Sequence, residues 1–280
     1  MRKTGIQVCV EIPCVRFYER KMGKISCFLK RIFREIRIRS ESRGYACDRC
    51  GKEIFTYPSP RLCGDCENVL PKNGQKTCPK CGRKTVSDGV CLECKSRTPA
   101  FTLGYSPFVY HQETAALINR MKNGQPWLAR YFGERMADGF FEKKAFDFNA
   151  EIPLVAFVPM SDNRQKERGY NQAKRLAEAF CERLRTKGVE TELRADALYK
   201  RMETLSQKDV DKSTRRKNAQ EVYRVQEKKL CKDRTVLLVD DIMTTGATGS
   251  ACAEKLLKSG AKQVFFITAC SLSERISDNS

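Results

Sequence analysis

The stretch VLLVDDIMTTGATGSACAEKL, Val236 to Leu256, is the most informative in the chain. Four apolar residues run into the adjacent carboxylates Asp240 and Asp241, a Thr/Gly-rich turn comes next, and then a helix-like sequence. An apolar strand ending in acidic residues also occurs in phosphate-hydrolysing nucleotide sites, but that reading needs a Gly-x-x-x-x-Gly-Lys-Ser/Thr loop. The chain has none. Instead, Thr244, Thr245, Gly246, Ala247 and Thr248 lead from the carboxylates straight into a helix. Backbone N–H groups at such a helix start, Thr hydroxyls and a glycine that admits close approach form a phosphate cradle. Two aspartates beside that phosphate would repel it, so they are expected to face another part of the ligand, either neighbouring ribose hydroxyls or Mg²⁺. The ligand so described is a ribose 5-phosphate. The bland alternative is a helix cap beside a chance acidic pair.

Upstream, PLVAFVPM, Pro153 to Met160, is a second short, continuously apolar run of the kind buried on both faces of a parallel sheet. Helices are predicted in ETAALINRMKNG, with Gly124 as its stop, in WLARYFGERMADGFF and in NQAKRLAEAFCERLR, which Gly188 ends. TVLLVDD, the helix SACAEKLLKSG and the strand QVFFITAC complete a β-α-β alternation. That alternation predicts a doubly wound α/β sheet over 98–280, with ligands at the carboxyl ends of the strands. The loop after Pro159 and the loop holding Asp240 and Asp241 should therefore share a site.

Of the 15 cysteines, eight form four Cys-x-x-Cys pairs: Cys47/Cys50, Cys63/Cys66, Cys78/Cys81 and Cys91/Cys94. Each pair can put two thiolates on one metal from a tight turn, and two pairs complete the tetrahedral sulfur shell that Zn²⁺ prefers. Gly51 and Gly82 immediately follow a second Cys, where the backbone bends around the metal, and Gly64 lies between Cys63 and Cys66. Sequential pairing, Cys47, Cys50, Cys63 and Cys66 on one ion and Cys78, Cys81, Cys91 and Cys94 on the second, closes the shortest loops; interleaved pairing is the alternative. A disulfide framework suits a secreted chain, yet the cysteine total is odd and the sequence shows no export signal. A double zinc ribbon is thus expected over 47–97, with KSRTPAF, Lys95 to Phe101, as the hinge to the second domain.

Residues 1–46 form a basic leader in which KISCFLKRIFREIRIRS spaces Phe28, Ile32 and Ile36 as an amphipathic helix. Such a helix either touches nucleic acid or an acidic membrane surface, or docks on the zinc module as a solvated helix. Lys+Arg 53 against Asp+Glu 34 give a formal charge of +19, which favours polyanionic partners. Apolar runs as short as VLLV and VFFI exclude a membrane-spanning segment, and a cytoplasmic location is expected.

VLLVDDIMTTGAT resembles the phosphoribosyl-diphosphate (PRPP) motif of type I phosphoribosyltransferases. The resemblance implies that Asp240 and Asp241 hold the ribose hydroxyls and that Thr244, Thr245, Gly246, Ala247 and Thr248 hold the 5-phosphate, with Mg²⁺ accompanying PRPP. From Cys47 to the last strand the chain is similar to the ComF family, which joins a cysteine-rich zinc module to such a domain and is associated with DNA uptake in competent bacteria. VPMSDNRQKERGYNQA, Val158 to Ala173, and LSQKDVDKSTRRKNAQEVYRV, Leu205 to Val225, carry the family's other signatures, including Arg168, Gly169, Tyr170, Asn171 and Gln172, and Gln207, Arg215 and Asn218. Arg168 suits bidentate contact with diphosphate; Arg215 and Arg216 lie on a polar loop that either closes over PRPP or is simply solvated.

The chain departs from the family where Ser161 stands in place of a histidine often found after the Val-Pro strand. Its one histidine, His111, reads as a polar surface residue. No general acid is evident for nucleobase chemistry, which weakens turnover more than binding. Three functions are compatible with these features: a DNA-uptake protein binding single-stranded DNA and a phosphoribosyl ligand, PRPP or a nucleotide, with a competence helicase as partner; a Mg²⁺-dependent phosphoribosyltransferase using Asp240, Asp241 and Arg168; or a PRPP-sensing regulator.

Overall fold

The computed structural model describes residues 46–55, 60–74, 76–200 and 222–274. The basic leader and the segment with Gln207, Arg215, Arg216 and Asn218 lie outside them. The core is a six-stranded parallel sheet. Strand β7 (Thr235–Met243) is central, flanked by β8 (Gln263–Ser271) and β3 (Leu154–Phe157). Beyond β8 lie the edge segments β1 (Leu103–Tyr105) and β2 (Phe108–Val109), both paired to β8, and beyond β3 lies β4 (Glu192–Leu193). The strands expected from the apolar runs are present, and β7 continues past the carboxylates to Met243. The short strands β1, β2 and β4 have no such run and escape sequence reading.

Side chains alternate across a strand, and β7 divides its apolar residues accordingly. Leu237 and Val239 join Phe265 and Ile267 beneath three helices, α3 (Gln112–Lys122), α4 (Leu128–Glu142) and α6 (Gln172–Thr186). Val236 and Leu238 join Phe266 on the opposite face, under helix α8 (Ala247–Lys258) and the hairpin β5 (Leu198–Lys200) with β6 (Tyr223–Val225). A short helix, α5 (Asp162–Arg168), follows β3, and α7 (Lys228–Cys231) leads into β7.

The two cysteine units straddle this sheet. The first, with α1 (Gly64–Asn68) starting at Cys63, joins the core of α3, α4 and α6 through Cys47, Ile54, Leu62 and Cys66. Trp127 Nε1 donates to Asp48 Oδ1 at 3.0 Å, and Arg135 grips Glu67 with Nε to Oε1 at 2.6 Å and Nη2 to Oε2 at 3.1 Å. The second unit, with α2 (Leu92–Ser96) starting at Cys91, packs on the α8 face beside Phe101. There the backbones touch: Gly104 N of β1 donates to Lys80 O at 2.9 Å. A Cβ on Gly82 would meet Gly104 O at 2.2 Å, and one on Gly104 would meet Cys81 O at 2.3 Å.

This contact admits no side chain. Gly104→Ala is expected to lower stability by about 2 kcal/mol through forced separation of the second unit from β1. Gly64→Ala, where a Cβ meets nothing within 4 Å, should leave stability unchanged or slightly raised. Denaturant unfolding midpoints of the two variants make the comparison.

Candidate functional site

Parallel pairing of β7 with β3 (Phe157 opposite Val239) and with β8 (Met243 opposite Ser271) brings their carboxyl ends to one edge. Asp240, Asp241 and the turn Thr244–Gly246 stand there, and the chain leaving β3 meets them: Val158 N donates to Val239 O at 2.9 Å. Gly246 has φ +77°, a left-handed conformation suited to glycine, and opens α8. Thr245 Oγ1 accepts from Ala247 N at 3.3 Å, and Ser250 N closes the first turn onto Gly246 O at 2.8 Å. Thr244, Thr245, Ala247 and Thr248 are exposed around this helix start, whereas Gly246 is buried.

The two carboxylates have different surroundings. Asp241 is buried on the side of α3 and α6. Its Oδ2 accepts from Lys122 Nζ at 3.0 Å and from Gln172 Nε2 at 3.0 Å. Asp240 follows Val236 and Leu238 toward the α8 face, is partly exposed, and has no ion pair among the described residues. Its Oδ1 accepts from Asp241 N at 2.9 Å. Burial, reinforced by the neighbouring Asp241 charge, pushes the Asp240 carboxyl well above the ordinary carboxylate range. Burial and the Asp240 carboxylate likewise push the Cys252 thiol up. A carboxylate with no ion pair among the described residues, partly exposed toward the carboxyl end of a sheet strand, fits hydroxyl donors or a divalent cation.

In the segment Arg168–Gln172, Asn171 is a helix cap and Gln172 contacts Asp241. Arg168 ends α5, partly exposed, and Gly169 at φ +80° stops that helix. Asn171 caps α6 by accepting from Ala173 N and Lys174 N, and its Nδ2 donates to Val158 O at 3.3 Å. Gln172, at the start of α6, reaches Asp241 near the end of β7. His111 is exposed at the start of α3, with Nδ1 3.4 Å from Glu113. Sequence reasoning missed Lys122, which looks like an ordinary basic residue in the last turn of a helix. It also missed Arg83, whose Nη2 donates to the main-chain oxygen of Thr244 at 2.7 Å.

In each cysteine unit all four sulfurs lie within 4.8 Å of one another, grouping Cys47, Cys50, Cys63 and Cys66, and Cys78, Cys81, Cys91 and Cys94. The sequential grouping is therefore the one that the fold assembles. Cys50 Sγ is 3.8 Å from Cys63 Sγ and Cys81 Sγ 3.7 Å from Cys91 Sγ. A tetrahedron of sulfurs about 2.3 Å from Zn²⁺ has edges of about 3.8 Å, whereas a disulfide is about 2.05 Å. The donor set could hold zinc. Backbone amides favour the thiolate at one cysteine of each set: burial alone would raise the Cys47 thiol, but N–H groups of Cys50, Cys63 and Arg49 bring it down to about 6. In the same way the N–H groups of Cys91, Cys81 and Lys80 bring Cys78 to about 7.

The two aspartates should respond oppositely to neutralisation. Asp240 holds its proton longer when folded than when unfolded, so its effect on stability becomes more unfavourable as pH rises from about 4 through the folded value. Asp240→Asn is expected to raise stability by about 1 kcal/mol at neutral pH and to flatten that decline. Asp241→Asn leaves Lys122 without its carboxylate and should lose about 2 kcal/mol. Thermal unfolding at pH 5 and pH 8 distinguishes the pair.

Residues 168–279 match the model of the phosphoribosyl transferase domain. The chain is 28% identical over 229 residues to Competence protein ComFC of Streptococcus pneumoniae (strain ATCC BAA-255 / R6), covering 78% of this chain and 94% of that protein. It is 25% identical over 210 residues to Competence protein ComFC of Bacillus subtilis (strain 168), covering 72% and 80%. Competence protein F of Haemophilus influenzae (strain ATCC 51907 / DSM 11121 / KW20 / Rd) is 26% identical over 227 residues, covering 78% and 86%. Residues 168–279 thus match a phosphoribosyl transferase domain behind two four-cysteine units, and over most of its length the chain is similar to these competence proteins.

Proposed function

We propose that the protein handles single-stranded DNA during uptake and transformation, and that its α/β domain binds a phosphoribosyl ligand, PRPP or a nucleotide with Mg²⁺. The observation carrying the ligand reading is the end of β7. A partly exposed carboxylate with no ion pair among the described residues, Asp240, stands on the strand that leads into a left-handed glycine opening a helix of 12 residues, with threonine hydroxyls exposed around its start. Backbone N–H groups at such a start suit a phosphate. In this reading Thr244 to Thr248 hold the 5-phosphate, Asp240 and Asp241 take ribose hydroxyls or the metal, and Arg168 meets the diphosphate. Ligand hydroxyls then compete with Lys122 and Gln172 for Asp241.

The DNA reading rests on the formal charge of +19 and on the names of the three competence proteins to which the chain is similar. A helicase of the uptake machinery would be the protein partner. Zn²⁺ is the proposed occupant of both cysteine clusters, where it would supply structural closure of each unit. Native mass spectrometry is expected to find two zinc ions per chain and one in Cys91→Ser.

Calorimetric titration with PRPP and Mg²⁺ should show binding by the wild type and loss of at least about 30-fold in Asp240→Asn, as a charge-assisted contact at the ligand would give. Equal affinity in both would remove the acidic pair from the site. Binding of a single-stranded oligonucleotide should weaken linearly on a log-log plot against salt, with a slope of about −0.7 for each phosphate contacted. No binding at low salt would end the DNA reading.

The domain match also favours a second reading, turnover of PRPP by an acceptor nucleophile. Diphosphate release with a panel of nucleobases and amines tests it; silence across the panel leaves binding as the role.

A further inference from the structure

The two cysteine units are built alike, and one pair of residues differs sharply between them. In the first knuckle Gly51 N donates to Cys47 O and Cys47 N to Lys52 O; in the second Gly82 N donates to Cys78 O and Cys78 N to Arg83 O. Bridges Ala46 to Glu53 and Thr77 to Lys84 close both. Lys52 and Arg83 hold the same place, as do Asp65 and Glu93, each two residues after the third cysteine. In the first unit the pair is a surface contact, Lys52 Nζ to Asp65 Oδ2 at 3.4 Å, with side chains 67% and 83% exposed. In the second the cation is an arginine with a side chain only 2% exposed.

Burying a guanidinium is unfavourable unless its donors are satisfied. Arg83 satisfies them in three directions: Nε to Cys81 Sγ at 3.4 Å, Nη1 to Glu93 Oε1 at 2.7 Å, and Nη2 to the main-chain oxygen of Thr244 at 2.7 Å. The last bond crosses from the second cysteine unit to the turn between β7 and α8. A lysine offers a single point of attachment and cannot span three acceptors in a plane. The side-chain anchors of the first unit run instead to Trp127 and Arg135, beside and on α4.

We infer that Arg83 is a positioning residue through which the second cysteine unit, and not the first, sets the conformation of the Thr244–Thr248 turn. Closure of that unit around its metal fixes the knuckle carrying Arg83; Arg83 then holds the Thr244 carbonyl and with it the direction of the N–H groups at the start of α8. Loss of the metal from this unit alone frees the knuckle and loosens the turn. The consequence for ligand affinity rests on the phosphoribosyl reading above, whereas the consequence for the turn does not.

The test uses the full chain loaded with zinc. Amide hydrogen exchange is followed at Ala247 and Ser250, whose N–H groups bond within this turn, and at Leu272, whose N–H bonds to Met243 just before it, and PRPP affinity is measured alongside. Arg83→Lys is expected to keep both metals, shown by native mass spectrometry, while exchange at these amides speeds by about tenfold or more, as loss of charged hydrogen bonds implies, and PRPP affinity falls in parallel. Glu93→Gln, which leaves every cysteine in place, should shift exchange in the same direction, as should Cys91→Ser. Lys52→Ala and Cys63→Ser in the first unit should leave exchange at these amides unchanged. Wild-type exchange in Arg83→Lys and Glu93→Gln, or equal loosening by Cys63→Ser and Cys91→Ser, would overturn the inference. Failure of the wild type to bind PRPP would instead remove the ligand reading and leave exchange to decide the role of Arg83.

Discussion

Pairing of β7 on both sides holds the architecture in place. Hydrogen-bonded to β3 and β8 in parallel register, β7 cannot slip by one residue without exchanging the apolar sets of its two faces. Leu237 and Val239 would then meet α8, and Val236 and Leu238 would meet α6. The register therefore places Asp240 and Asp241 at the strand end and directs them to different neighbours.

Those neighbours give the two acids unequal duties. Asp241 joins α3 to α6 through Lys122 and Gln172, a buried polar junction that ties the helices to the sheet edge. Asp240 keeps partial exposure and a carboxyl whose protonated form is favoured by its surroundings. Stability and ligand binding pull against each other at such a position, because the charge that suits a ligand is unfavourable in its absence. The polar cluster around Asn171 shows the complementary case: a signature segment whose side chains cap a helix and hold the loop after β3.

The cysteine units extend this logic beyond the sheet. They occupy opposite faces of it, the first anchored on α4 and the second on β1 through glycine-to-glycine backbone contact. Small modules of this size bury too little apolar surface to stand alone. Four sulfurs in tetrahedral spacing can supply the closure, and docking supplies the rest. The described residues from 46 onward fall within one compact unit, and the bond from Arg83 to the Thr244 carbonyl links the second cysteine unit to the turn after β7.

Much of the fold is legible in local pattern. Apolar runs bounded by glycine and charge announce β3, β7 and β8; helical spacing announces α3, α4, α6 and α8; and the Cys-x-x-Cys spacing announces both sulfur sets, since chain entropy favours closing the shortest loops. The strand-turn-helix order around Asp240 to Thr248 is equally plain. Position in three dimensions is not. Lys122 lies at the end of a helix like many others, and nothing near it in the chain marks Asp241 as its partner. Arg83 and Thr244 are 161 residues apart, and Lys52, its counterpart in the repeat, points to solvent. Elements and donor sets can be read from the chain because adjacent residues fix them. Which carboxylate is already paired, and which cysteine unit touches the turn before α8, emerges only in the folded molecule, because these depend on partners that meet when the sheet closes its register.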